Sequence, residues 1–174
     1  MRKAFSLIEL MIVLVIVGVI YTLVITKLQN YSAHLNTTLT LKTLKPILAD
    51  LAQAEEQSVT LWCFDGCEEC AIYKKGKKIK DVPELFTSQP QVYRYDFAMG
   101  FIPAKFLSFF DANGVQKDVC FAFSVDKQGI ADQIIMEYDD TVYDYTNYFQ
   151  PVQTYQTLED AQAYKEQQVN KVMQ

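Results

Sequence analysis

Histidine is nearly absent from this 174-residue chain, where His34 is the single copy. That removes most His-based catalysis and every His-rich metal site. Basic residues are also short: 16 Lys and Arg stand against 21 Asp and Glu, for a formal charge of -5. An acidic surface repels phosphates, which argues against a general nucleic-acid binder. Glycine (6) and proline (5) are few, so collagen-like and low-complexity classes fail. No Ser-His-Asp order, phosphate-cradling glycine loop, nucleotide fingerprint or internal repeat is present. What is plentiful is apolar: 50% of residues are hydrophobic against 21% charged, which excludes a disordered chain. The 11 Tyr and 11 Phe residues supply an aromatic core for one compact domain plus an accessory element.

The apolar content is concentrated at the start. Arg2 and Lys3 precede a run from Phe5 to Ile25 in which only Ser6, Glu9, Gly18 and Thr22 break the hydrophobic pattern. As a helix the run would extend about 31 Å at ~1.5 Å per residue, close to one hydrocarbon core. The next basic residue is Lys27, and the leading basic pair places the N-terminus in the cytoplasm. A cleaved secretory signal would be shorter and end in small residues, whereas this run continues through Tyr21, Leu23 and Ile25. Glu9 is the anomaly. A carboxylate costs roughly 2.5–3.5 kcal/mol at a bilayer centre and less near its edge. Reaching the headgroups is one account of it, and a functional partner is the other.

The stretch KAFSLIELMIVLVIVGVI resembles the class III signal and N-terminal helix of type IV pilins and type II secretion pseudopilins. The resemblance covers about 20 residues and is carried most specifically by Phe5-Ser6 followed by Leu7-Ile8-Glu9-Leu10. It implies that residues 1–4 are a leader removed by a prepilin peptidase between Ala4 and Phe5. It implies also that Phe5 is N-methylated and that Glu9 pairs with the new terminal amine of a neighbouring subunit during assembly. Gly18 falls at the family's customary glycine. Ala4 stands where the family usually has Gly, and Thr26 stands where many major pilins carry a kinking proline. The second departure leans toward a pseudopilin or minor member. The partners implied are the peptidase, other pilin-like subunits, an inner-membrane assembly platform and membrane lipid. Without its leader the chain would keep 14 basic side chains, having lost Arg2 and Lys3, against 21 acidic ones.

After residues 5–25, the expected membrane helix, residues 26–57 read as its amphipathic continuation. Leu28, Tyr31 and Leu35, then Leu41, Leu44, Leu48 and Leu51 with Ile47 and Ala52, make a helical stripe. Pro46 should kink or break it near Lys45. Residues 58–174 read as a β-rich globular domain with strands over 59–64, 71–75, 92–98, 119–125, 130–138 and 142–149. Asp126-Lys127-Gln128-Gly129 should turn a hairpin, and Tyr143, Tyr145 and Phe149 should line one side of the last strand. Residues 76–90 read as loop, with Lys74, Lys75, Lys77, Lys78 and Lys80 as a solvated basic patch. Thr157-Leu158-Glu159-Asp160 resembles a capping-box start to a C-terminal helix. The fold class expected is α+β and pilin-like. A long N-terminal helix packs on a small antiparallel sheet, and a C-terminal helix follows.

The four cysteines, Cys63, Cys67, Cys70 and Cys120, would lie outside the cytoplasm, where disulfides persist. Three complete pairings exist for four cysteines. A four-thiolate zinc site and a Cys67-x-x-Cys70 redox motif are the alternatives. Glu137, Asp139, Asp140 and Asp144 cluster near the last strand. A solvated acidic turn is expected there, with calcium as the alternative, because hard oxygen ligands suit it but no Asp-x-Asp-x-Asp-Gly loop is present. His34 reads as a surface or interface residue. No enzymatic activity, cofactor, small-molecule ligand or clear nucleic-acid partner is expected. The working expectation is a single-pass inner-membrane subunit with its globular domain in the periplasm, processed and then built into a short filament or tip complex. Protein secretion, DNA uptake for competence and a type IV pilus are the candidate machines. The alternatives are an unprocessed single-pass protein with a periplasmic binding domain, and a membrane-tethered thiol oxidoreductase.

Overall fold

The structure is a computed structural model that describes residues 8, 10–22, 39–111, 113–148 and 150–172. Ala4, Phe5, Glu9, Thr26, His34 and Phe149 therefore lie outside the described residues. The chain divides into two compact units, residues 1–38 and 39–174. In the first, residues 10–22 form one helix, α1. The second is α+β, with all its strand pairs antiparallel.

The second unit opens with residues 39–43, which are not helical; of the helix expected across 26–57, residues 26–38 with Leu28, Tyr31 and Leu35 lie outside the described residues. Helix α2 runs Leu44–Ala54. Pro46 falls in its first turn, where a missing N–H costs nothing because that donor has no helical acceptor anyway. Proline thus marks a start instead of a kink. Leu44, Ile47, Leu48, Leu51 and Ala52 are buried, the i, i+3, i+4, i+7, i+8 face that the sequence spacing predicts.

That face packs on a four-stranded sheet ordered β3-β2-β1-β8. Its strands are β1 (Val59–Phe64), β2 (Glu69–Lys74), β3 (Lys77–Asp81) and, later in the chain, β8 (Val119–Val125). Val59, Leu61 and Cys63 of β1 lie opposite Val125, Phe123 and Phe121 of β8, and all six are buried. The alternation that puts them on one side follows from the two-residue period of a strand. Thr60 and Trp62 face the other way and are half-buried.

A second, five-stranded sheet is ordered β11-β10-β9-β4-β5. It comprises β4 (Gln91–Asp96), β5 (Gly100–Pro103), β9 (Ile135–Tyr138), β10 (Thr141–Asp144) and β11 (Gln153–Tyr155). The two short strands β6 (Phe109–Phe110) and β7 (Gln116–Lys117) pair only with each other. Helix α3 (Leu158–Val172) covers the five-stranded sheet. There Ile135, Val142 and Ala161 are buried together, with Tyr95, Phe101, Tyr155 and Leu158 around them. Thr157 caps α3 by accepting the Asp160 N–H at 3.1 Å, the arrangement the capping sequence predicts.

Four expectations are corrected. The single small sheet is three, one of four strands, one of five and the β6–β7 pair. The Asp126–Gly129 turn forms, with Asp126 Oδ1 accepting the N–H groups of Gln128 (2.9 Å) and Ile130 (2.8 Å). Beyond it the two strands meet only at the bridge between Val125 and Ala131. The Asp132 carboxylate takes the Ser124 N–H at 2.8 Å, so the ladder stops and β9 joins the other sheet. Residues 77–81, expected as loop, are an edge strand whose exposed lysines mask any apolar period. In β10 the buried residues are Val142 and Asp144, while Tyr143 is only half-buried. Tyr145 is buried because the chain leaves the strand after Asp144 and turns its ring onto Phe123, with centroids 4.9 Å apart.

Candidate functional site

Helix α1 has an unusual surface. Ile8 and every large hydrophobic side chain from Leu10 to Tyr21 is between 50% and 67% exposed. Among the described residues of its own unit no face of it is covered, and a helix apolar all round is stable only where something other than water surrounds it. The Thr22 hydroxyl donates to the Val19 carbonyl at 2.8 Å, a bond inside the helix itself. Among the described residues no helix is long and apolar enough to cross a membrane. The described part of the expected 5–25 span is the helical stretch 10–22 with residue 8.

Residues 1–25 match the family described as the prokaryotic N-terminal methylation motif. The chain therefore carries a class III signal of the type IV pilin-like kind. The motif implies processing by prepilin peptidase and pilin-like assembly. No curated protein and no solved structure matches the chain significantly.

In the globular unit the cysteines form two disulfides, Cys63–Cys70 and Cys67–Cys120. Cys63 and Cys70 stand directly opposite each other in the β1–β2 ladder, and their bond spans the hairpin. Cys67, in the connecting turn Asp65–Cys67, reaches Cys120 on β8. Together they tie one end of three adjacent strands. All four thiols are consumed, so the zinc alternative has no thiolate to use. Cys67 and Cys70 belong to different bonds, so the dithiol couple that an oxidoreductase would need at this motif does not form.

The acidic cluster separates. Asp139 and Asp140 are exposed and make the two-residue turn between β9 and β10, with φ of 49° and 54°. Positive φ at both positions is the hairpin geometry that Asp tolerates. Glu137 is half-buried on β9, and Asp144 is fully buried. Among the described residues no group of three or more His, Cys, Asp or Glu side chains comes together to hold a metal ion.

Asp144 is instead the centre of a buried ionic clasp that the sequence does not reveal. Its Oδ1 accepts the Thr146 N–H at 2.9 Å and the Thr146 hydroxyl at 2.6 Å. Its Oδ2 faces Lys165 Nζ of α3 at 2.6 Å, and the lysine also meets Thr146 Oγ1. Lys45 of α2, itself buried, donates to the backbone carbonyls of Asn147 and, at 3.3 Å, Gln150. Burial lowers the Lys45 amine from its ordinary value, and the Asp144 charge draws it part of the way back. Beside the clasp, the buried Tyr145 hydroxyl donates to the Leu41 carbonyl at 2.8 Å. Both helices are thus fixed to the segment after β10. The available signal is the spacing of Val142 and Asp144, two residues apart on a strand whose other face is wetter.

Proposed function

We propose that this chain is a non-catalytic structural subunit, a pseudopilin or minor pilin. In this reading a prepilin peptidase cuts between Ala4 and Phe5, and Phe5 is methylated. The subunit then sits in the inner membrane with its globular unit in the periplasm until it joins a short filament or tip complex. What carries the reading is the methylation motif over residues 1–25, together with a helix that leaves its apolar side chains uncovered on all sides. Two disulfides suit an oxidising compartment. A secretion-type pseudopilin is favoured over a major pilin by the absence of a proline at position 26.

Glu9 has a physical task in this scheme. An unpaired carboxylate among apolar helices is expensive, and a facing amine offsets much of that cost. The pair would set the axial register between subunits, and cleavage must come first because it creates the amine. The decisive measurement is the N-terminal mass of the membrane-extracted protein. Loss of Met1 to Ala4 with gain of one methyl group is expected, and an intact terminus overturns the reading. In the same membranes, Glu9→Ala should insert normally yet give a lower yield of subunit cross-links than wild type. Equal yields would remove Glu9 from assembly.

A further inference from the structure

Two hairpins of the globular unit end in the same kind of turn and carry opposite charge. The β2–β3 hairpin closes between Lys74 and Lys77 through Lys75 (φ 47°) and Gly76 (φ 74°). The β9–β10 hairpin closes between Tyr138 and Thr141 through Asp139 (φ 49°) and Asp140 (φ 54°). Both are two-residue loops with both central residues in the left-handed region, so each tip projects its turn side chains away from its ladder. Lys75, Lys77, Asp139 and Asp140 are all exposed.

Their neighbours already have partners. Lys74 is paired with Glu55, and Lys78 with Asp81 at 2.9 Å. Among the described residues the ion pairs formed include none to Lys75, Lys77, Asp139 or Asp140. The basic tip is also out of keeping with the rest of the chain. Five of the 16 basic residues fall within residues 74–80, which leaves 11 basic against 21 acidic elsewhere. A second copy of this chain therefore presents an acidic surface to that tip, and its Asp139-Asp140 turn is the acidic counterpart with the same shape.

We propose that the β2–β3 tip of one copy docks on the β9–β10 tip of the next, with Lys75 and Lys77 against Asp139 and Asp140. The contact is heterologous: each copy offers a basic tip in one direction and an acidic tip in the other, the pattern that propagates when rotation does not close a ring. It runs through side chains. Strand β3 is a sheet edge, and lysines along an edge oppose the backbone pairing of another strand. Exposed pairs of this kind contribute little each and are screened by salt, so they fix orientation and partner choice more than affinity. The proposal rests on the reading as an assembling subunit and names one lateral contact within it.

The test uses the full chain in its membrane, with a zero-length carbodiimide reagent that joins amines to carboxylates in direct contact. Linked peptides should join Lys75 or Lys77 of one copy to Asp139 or Asp140 of another. Because Lys75→Glu/Lys77→Glu removes the linkable amines, the contact in the variants is read with a photo-cross-linking residue at the exposed Ile79; its self-cross-link yield should fall at least roughly tenfold in this variant, because like charges then face each other. Asp139→Lys/Asp140→Lys should do the same, and mixing the two variants should restore it, since each now complements the other. Unchanged yields in both variants, or failure of the mixture to recover, overturn the proposal. So does a finding that the lysine variant loses only binding to anionic-lipid vesicles or to DNA while self-contact persists. The N-terminal mass separates the two levels. A trimmed, methylated chain with indifferent tips defeats this contact alone, whereas an untrimmed chain defeats the assembly reading first.

Discussion

Asp144 shows how much one side chain can hold in a small domain. It accepts from Thr146, meets Lys165 of α3, and lies close enough to Lys45 of α2 to raise that amine against the effect of burial. Removing one member of a buried pair leaves the other charge uncompensated, at a cost of about 3–5 kcal/mol. Asp144→Asn should therefore lower the urea midpoint of the globular unit substantially. Asp144→Asn combined with Lys165→Met should recover part of the loss, since no unpaired cation then remains at that position.

Alkaline behaviour follows from the same region. Burial raises the Tyr145 phenol, and burial with the Asp144 charge pushes Tyr155 up to about 12. Unfolded, both ionise near pH ~10. The folded state then keeps protons that the unfolded state has released. The stability these two residues contribute is complete below pH ~10 and is lost as pH rises through their folded values, about 12 for Tyr155 and higher for Tyr145. Lys45 acts in the opposite sense. Its folded value lies below that of an unfolded lysine, so its penalty is present at neutral pH and is relieved as pH climbs to 10.5. With two tyrosines against one lysine, the denaturation midpoint should fall above pH ~10. Tyr145→Phe should flatten that fall, while costing about 1–2 kcal/mol at neutral pH through the orphaned Leu41 carbonyl.

At the scale of elements, the two disulfides are unequal. Cys63–Cys70 closes a separation of 7 residues and Cys67–Cys120 one of 53. On chain-entropy grounds the shorter loop is worth about 2 kcal/mol and the longer about 4 kcal/mol. Cys67→Ser/Cys120→Ser should thus cost more in a thermal melt than Cys63→Ser/Cys70→Ser. The reverse order would show that the hairpin staple, not the long closure, holds this end of the sheet.

Legibility in the sequence also varied by element, for physical reasons. β1 and β8 match their expected bounds, 59–64 and 119–125, because Val59, Leu61 and Cys63 on one and Phe121, Phe123 and Val125 on the other are buried at a two-residue period. The α2 stripe and the Thr157 cap read equally well. β3 was hidden because an edge strand exposed along nearly its whole length has no apolar phase to detect. β6, β7 and β11 are two or three residues long and exist only through their pairing. The break between sheets hangs on the Asp132 carboxylate taking the Ser124 N–H, a tertiary event with no local signature. The motif of the candidate site was the most legible feature of all, since its chemistry is written in contiguous residues. Asp144 was the least legible, because its partners Lys45 and Lys165 lie on helices far away along the chain.

For the molecule as a whole, the boundary at residues 38 and 39 separates two different solvents' worth of surface. The first unit exposes apolar helix. The second has its own buried core, both disulfides and both of the helices that cover its sheets. A chain beginning at Leu39 should fold without detergent, remain in the supernatant on ultracentrifugation, and show no titratable thiol until reduced. The full chain should pellet with membranes and resist carbonate extraction. A truncated protein that precipitates or exposes thiols would show that the globular unit depends on what precedes it.

The clasp around Asp144 has a mechanical side. Tension entering the globular unit at Leu39 reaches first the Tyr145 hydroxyl on Leu41 and then Lys45 on the carbonyls of Asn147 and Gln150. Those links hand the load to β10 and, through Lys165, to α3. A subunit hauled by its leading end would strain several bonds at once instead of peeling α2 from its sheet turn by turn, so its resistance to pulling should exceed what its depth of core alone would give.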